Sequence, residues 1–109
     1  MSFINKLEGC RINKVLAVHD YYQLYFDTDA VLTIYNPFII SQRVSSSASV
    51  NIDILSGSIV KFIEVVEHDC ITFTFDGDLQ LSIKIDYESF VGPEALELNI
   101  PNEQIMVWN

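Results

Sequence analysis

The chain has 109 residues, half of them hydrophobic, with fifteen Asp/Glu against six Lys/Arg and a formal charge of −9. That length fits one domain that buries roughly 65% of the surface of its unfolded chain, with a core that needs neither disulfide nor metal. The charge argues against nucleic acid or an anionic membrane as partner, because both call for clustered cations; it suits a basic protein or a cationic ligand, or simply a soluble acidic surface.

Met1 to Cys10 lacks a basic start followed by an apolar run, so no signal peptide is expected. No apolar stretch approaches the ~20 residues of a membrane helix. The cysteine usage predicts a reducing compartment in which Cys10 and Cys70 act as small core residues; their spacing alone establishes no bridge. Met1 to Glu8 reads as one helical turn capped by Ser2 or as an irregular lead-in.

From Leu7 onward the chain carries a unit that returns after Leu55. Leu7, Gly9, Ile12, Val15 and Val18 match Leu55, Gly57, Val60, Ile63 and Val66 at an offset of 48. One extra residue near Glu67 then shifts the offset to 49, and His19-Asp20, Phe26-Asp27, Asp29, Leu32 and Ile34 match His68-Asp69, Phe75-Asp76, Asp78, Leu81 and Ile83. The clearer copy is Ile71 to Asp86. Ile71, Phe73 and Phe75 fall on one face of a first run, Leu79, Leu81, Ile83 and Ile85 on one face of a second, and Asp76-Gly77 lies between the runs, where it can take the positive φ angles of a tight turn. Each copy therefore predicts a three-stranded antiparallel meander: a strand after the Gly, a turn at His-Asp, a second strand ending at Phe-Asp, and a third strand beyond Asp27-Thr28-Asp29 or Asp76-Gly77-Asp78.

Between the copies, Asn36-Pro37 ends the first unit, Phe38 to Val44 reads as a short strand, and Ser45 to Ser49 as an exposed loop. The alternation of Val50, Ile52 and Ile54 favours another short strand, with a helix capped by Ser49 as the other option. After the second copy come a connection from Tyr87 to Pro93, a strand containing Leu96, Leu98 and Ile100, a turn over Pro101 to Gln104, and a last strand from Ile105 to Trp108. The expected fold is all-β and mainly antiparallel, with little helix: one domain over residues 1–109, duplicated at about 7–36 and 55–86, its two meanders packed as a β-sandwich or half-open barrel. Val31, Thr33 and Tyr35 give the third strand a second apolar face, which is either covered or a binding surface.

No catalytic, metal or cofactor signature is visible. Cys10, Cys70, His19 and His68 match a zinc set in number but not in spacing. Asp27/Asp29 and Asp76/Asp78 lack the oxygen count of a calcium loop, and turn formation explains them more economically. Charge is more informative. Residues 1–54 hold five acidic and four basic residues, net −1, whereas residues 55–109 hold ten and two, net −8. The half-copies share a pattern but not a charge, so the fold does not require the acidity. Asp76, Asp78, Asp86, Glu88, Glu94 and Glu97 are the candidates for one negative surface, with Tyr87 and Phe90 as aromatic anchors beside it. Tyr21, Tyr25, Tyr35 and Trp108 are further aromatic candidates, Trp108 equally a core plug.

A short, acidic, β-rich chain with Phe75-Asp76-Gly77-Asp78-Leu79-Gln80-Leu81-Ser82-Ile83 and Gly92-Pro93-Glu94-Ala95 resembles the small bacterial immunity proteins of polymorphic-toxin and contact-dependent growth inhibition systems. The resemblance implies a cytoplasmic, non-catalytic inhibitor that covers a cognate toxin domain, often a cationic nuclease, with carboxylates standing in for substrate phosphates. It assigns no residue-level role. The alternative is a β-rich assembly or scaffold module that self-associates, as a homodimer for instance, through a strand edge or the Val31/Tyr35 face. An enzyme ranks third, because no convergent nucleophile, base and oxyanion set can be named.

Overall fold

Asp27 and Asp76 show how the duplicated sequence becomes a duplicated structure. In the computed structural model, which describes residues 3–42, 51–103 and 105–108, each aspartate turns its carboxylate onto the residue just before the first strand of its half. The Arg11 N–H donates to Asp27 Oδ1 at 3.2 Å and the Ile59 N–H to Asp76 Oδ1 at 3.0 Å. The turns beyond them match as well: Asp29 and Asp78 have φ of 66° and 62°, in the left-handed region that short polar side chains tolerate. Turn formation is thus what these aspartates do. The positive φ angles fall on Gly77 (73°) and Asp78 rather than on the expected Asp76-Gly77 pair.

Among the described residues, nine strands form two antiparallel sheets. In chain order they are β1 (Ile12–Val18), β2 (Tyr21–Phe26), β3 (Val31–Ile34), β4 (Phe38–Gln42), β5 (Val60–Val66), β6 (Cys70–Phe75), β7 (Leu79–Lys84), β8 (Leu96–Asn99) and β9 (Met106–Trp108). One sheet has the order β1-β2-β3-β8-β9 and the other β4-β7-β6-β5. Each expected meander is present, β1–β3 in one sheet and β5–β7 in the other. Each half also sends its fourth strand to the opposite sheet, so β4 pairs with β7 and β8 with β3. The exchange is reciprocal in register: Phe38 faces Ile83 and Leu96 faces Ile34; Ile40 faces Leu81 and Leu98 faces Leu32.

The sheets pack face to face as a sandwich and meet at one corner, where Arg11 and Ile59 form a bridge. Those two residues are equivalent in the halves, at an offset of 48, so a pseudo-twofold axis passes between them. Its bonds come in pairs: Gly9 N–H donates to the Val60 carbonyl at 2.8 Å, and Gly57 N–H to the Ile12 carbonyl at 2.7 Å. Both first strands carry a bulge just past this corner, between Ile12 and Lys14 and between Val60 and Phe62.

The alternating residues supply one shared core. Leu24, Leu32, Ile34, Ile71, Phe73, Phe75, Leu81 and Ile83 are buried in it, with the Phe73 and Phe75 rings 6.2 Å apart. Two short 3-10 turns, Phe3–Leu7 and Ile52–Leu55, plug its ends. With about three residues per turn, Ile4 and Leu7 face inward together, as do Ile52 and Leu55. This corrects the strand expected over residues 50–54. The Asn51 side chain accepts the Asp53 N–H at 3.1 Å and caps a helical turn, leaving Ile54 40% exposed. The Ser2 and Ser49 caps, the end of the predicted strand at Val44, Val50 and the Ser45–Ser49 loop lie outside the described residues. Cys10 is buried as expected, but Cys70 sits half-buried on the outer face of its sheet, since Ile71 takes the inward position; both thiols are free. Trp108 is a plug: opposite Leu96 on β8, it packs against the core.

Candidate functional site

The two halves stop matching at the connection to the fourth strand. Ile34 and Ile83 correspond at an offset of 49, while Phe38 and Leu96 correspond at 58, so the second half carries nine additional residues, 86–94. The β3–β4 connection shows that the fold crosses between sheets without them. Five of the predicted partner-binding residues lie in this segment: Asp86, Tyr87, Glu88, Phe90 and, at its end, Glu94.

Local chemistry fixes the segment from within. The Ser89 N–H donates to the Asp86 carbonyl at 3.0 Å and the Ser89 hydroxyl to Asp86 Oδ1 at 2.7 Å, closing a single 3-10 turn over Tyr87–Ser89. Ile85 and Phe90 pack against the core on either side of the turn, and Ala95 is fully buried where β8 begins. Held at these points, the segment pushes Tyr87 and Val91 into solvent at 94% and 74% exposure. Large apolar side chains that exposed lose burial that the fold could otherwise have used, roughly 1.5–3 kcal/mol for a full side chain.

Beneath the segment, the chain forms a cleft of about 380 Å³ lined by Asp20, Tyr21, Tyr35, Val91, Gly92, Pro93 and Glu94. Asp20, Tyr35 and Val91 also border an adjoining hollow of about 490 Å³ that reaches Tyr22, Asn36 and Phe38. Tyr21 arrives on the strand after the His19-Asp20 turn, and Tyr35 follows β3. Their rings lie 5.4 Å apart at 54°. Tyr22 and Phe38 meet edge to face at 5.3 Å in the adjoining hollow. Burial raises the ionisation of the Tyr35 phenol above its ordinary value, and the negative charges of Glu97 and Glu94, with Tyr21, add to the shift. Glu97 reaches this region from β8, opposite Thr33 of β3.

The outer face of β3 is covered by its neighbours. Gln23 Nε2 donates to Thr33 Oγ1 at 3.3 Å, Tyr25 donates to Gln23 Oε1 at 2.9 Å, and the Lys14 ammonium lies 4.6 Å from the centre of the Tyr25 ring. Thr33 is only 4% exposed as a result. The open part of that face is its end at Tyr35.

Asp76 and Asp78 lie elsewhere. They stand before β7 and the inserted segment follows it, so six strand residues, roughly 20 Å, separate the two acidic groups. Asp78 borders a different hollow of about 510 Å³, with Ser41, Gln42, Phe62, Thr74 and Gln80. The structure gathers Glu94 and Glu97 around Tyr35, carries Asp86, Tyr87, Glu88 and Phe90 on the same connection, and leaves Asp76 and Asp78 at the far end of the strand. Asp20 and Asn36 were read from the sequence as turn residues and not as site residues. The change of offset between Ile83 and Leu96 is the signal that leads to their cleft.

Among the described residues no group of three or more His, Cys, Asp or Glu side chains could hold a metal ion, and no helix is long and apolar enough to cross a membrane. Comparison of the chain with protein-family models, curated proteins and solved structures returned no match.

Proposed function

We propose that this chain is a non-catalytic inhibitor that binds a basic protein, in the manner of an immunity protein facing a cationic toxin domain such as a nuclease, in the cytoplasm. The observation that carries this reading is the inserted segment. It lies in the half of the chain with net charge −8, the fold does without it in the other half, and it exposes Tyr87 and Val91 beside Asp86, Glu88 and Glu94. Aromatic and aliphatic anchors inside a field of one sign are what a partner of opposite charge recognises, the field speeding encounter and the anchors slowing release.

The test is growth rescue. The C-terminal domain encoded immediately upstream in the native locus is expressed with and without this chain. Toxicity abolished by co-expression, together with a co-purifying complex, is the expected result; toxicity that persists, with no complex, sinks the reading. The competing reading, a self-associating assembly module, is favoured by a separate observation: Ile39 and Phe62 are 56% and 51% exposed on β4 and β5, the two edges of the four-stranded sheet. It expects light scattering to report concentration-dependent association with little dependence on salt, whereas encounter with a basic partner slows as salt rises.

A further inference from the structure

The cleft between the two tyrosines and the inserted segment combines three features. Its carboxylates, Asp20 and Glu94, stand with the Tyr21 and Tyr35 rings, and among the described residues none that line it or the adjoining hollow is basic. Asn36, in the adjoining hollow, is 3% exposed; its Nδ2 donates to the Lys84 carbonyl at 2.8 Å, while its Oδ1 meets no donor among the described residues. A buried amide oxygen without a partner costs free energy. The cleft itself offers two carboxylates and two ring faces, with no basic side chain among the described residues that line it.

The internal symmetry offers a contrast in charge. At the matching place in the second half, Cys70 and Lys84 face each other across β6 and β7 where the first half has Tyr21 and Tyr35, and Asp69 corresponds to Asp20. There the chain places an exposed lysine where the first half has a tyrosine. We propose that the Tyr21–Tyr35 cleft is a subsite for a guanidinium group, an arginine side chain presented by the basic partner. Arginine fits better than lysine because its planar group stacks on tyrosine while its edge donates to more than one acceptor at once, here the Asp20 and Glu94 carboxylates. Burial is the larger cause of the raised ionisation of Tyr35, and the charges of Glu97 and Glu94 that add to it are ones a cation would offset.

This subsite rests on the proposed function for its biological partner, but its test needs no partner. N-acetylarginine methylamide is titrated into the full chain and followed by heteronuclear NMR, with the uncharged citrulline analogue as control. Shifts centred on Tyr21, Tyr35, Gly92 and Glu94 with the arginine probe, and absent with citrulline, are expected. Glu94→Gln should weaken that binding at least about threefold, and Asp78→Asn should leave it unchanged. Equal response to both probes, shifts spread equally to the Asp76–Asp78 turn, or no response at all overturns the proposal. Because Glu94 is a surface loop residue, its variant keeps the result readable even if Tyr35→Ala disturbs the fold. A chain that binds the probe here but rescues no toxin keeps the subsite and loses the immunity reading; a chain that rescues but ignores the probe does the reverse.

Discussion

Gly9 and Gly57 hold φ angles of 88° and 89°, and neither has any atom within 4 Å of where a Cβ would stand. Space does not demand glycine at either position, so the backbone angle must. Replacing either by alanine should therefore cost about 1–2 kcal/mol, through left-handed strain alone. Chemical denaturation of the two variants should return similar losses, because both residues donate across the same corner. Tyr35 makes a prediction of a different kind. Its phenol keeps its proton in the folded chain at pH values where the unfolded chain has lost it. The resulting stabilisation is complete below about pH 10, the ordinary tyrosine value, and is lost as pH rises through the folded value. Glu97→Gln removes the larger of the two carboxylate contributions after burial, so it should move the Tyr35 titration, read by tyrosine ring-carbon NMR, toward its ordinary position. An unchanged titration would mean that Glu97 does not act on this cleft.

At the level of elements, alternation made the strands legible. Leu79, Leu81 and Ile83 alternate cleanly with Gln80, Ser82 and Lys84, and β7 buries the first set. The same rule misled at Ile52 and Ile54, because two alternating apolar residues do not exclude a helical turn, and the side chain of Asn51 caps one. The inserted segment was visible only as a connection, since its extra length emerges from comparing two fourth strands whose sequences, Phe38-Ile39-Ile40 and Leu96-Glu97-Leu98, share little. Joining Ile85 directly to Ala95 would give the second half the short crossing that the first already uses. That deletion should leave a folded β protein, less stable by about 1–3 kcal/mol for the loss of Phe90 from the core margin, yet unable to hold the partner. Circular dichroism and pull-down would be read together. A folded deletion variant that still captured the partner would remove the segment from the interface.

On the scale of the whole molecule, the reciprocal exchange of β4 and β8 makes each half a provider to the other. Residues before the Ile52–Leu55 turn build three strands of one sheet but donate β4 to the second; residues after it donate β8 and β9 to the first. The duplication was legible in the sequence as matching residues, whereas the exchange was not, because a strand's alternation reports which face is buried and not which neighbour it pairs with. The pairing has a physical consequence. A half alone would leave β3 or β7 with an unpaired edge and its apolar face without the opposing sheet, so too little surface would be buried to offset chain entropy. Two fragments cut within residues 43–50 should each be largely unstructured in isolation by NMR, and should recover the folded spectrum when mixed in equal amounts. Complementation should be bimolecular, its extent rising with concentration, because the bonds at Gly9, Ile12, Gly57 and Val60 and the β3–β8 and β4–β7 ladders all cross between fragments. A single half that folded as a stable monomer would show instead that each meander carries its own core, and the exchanged strands would then be a fastening rather than a condition of folding.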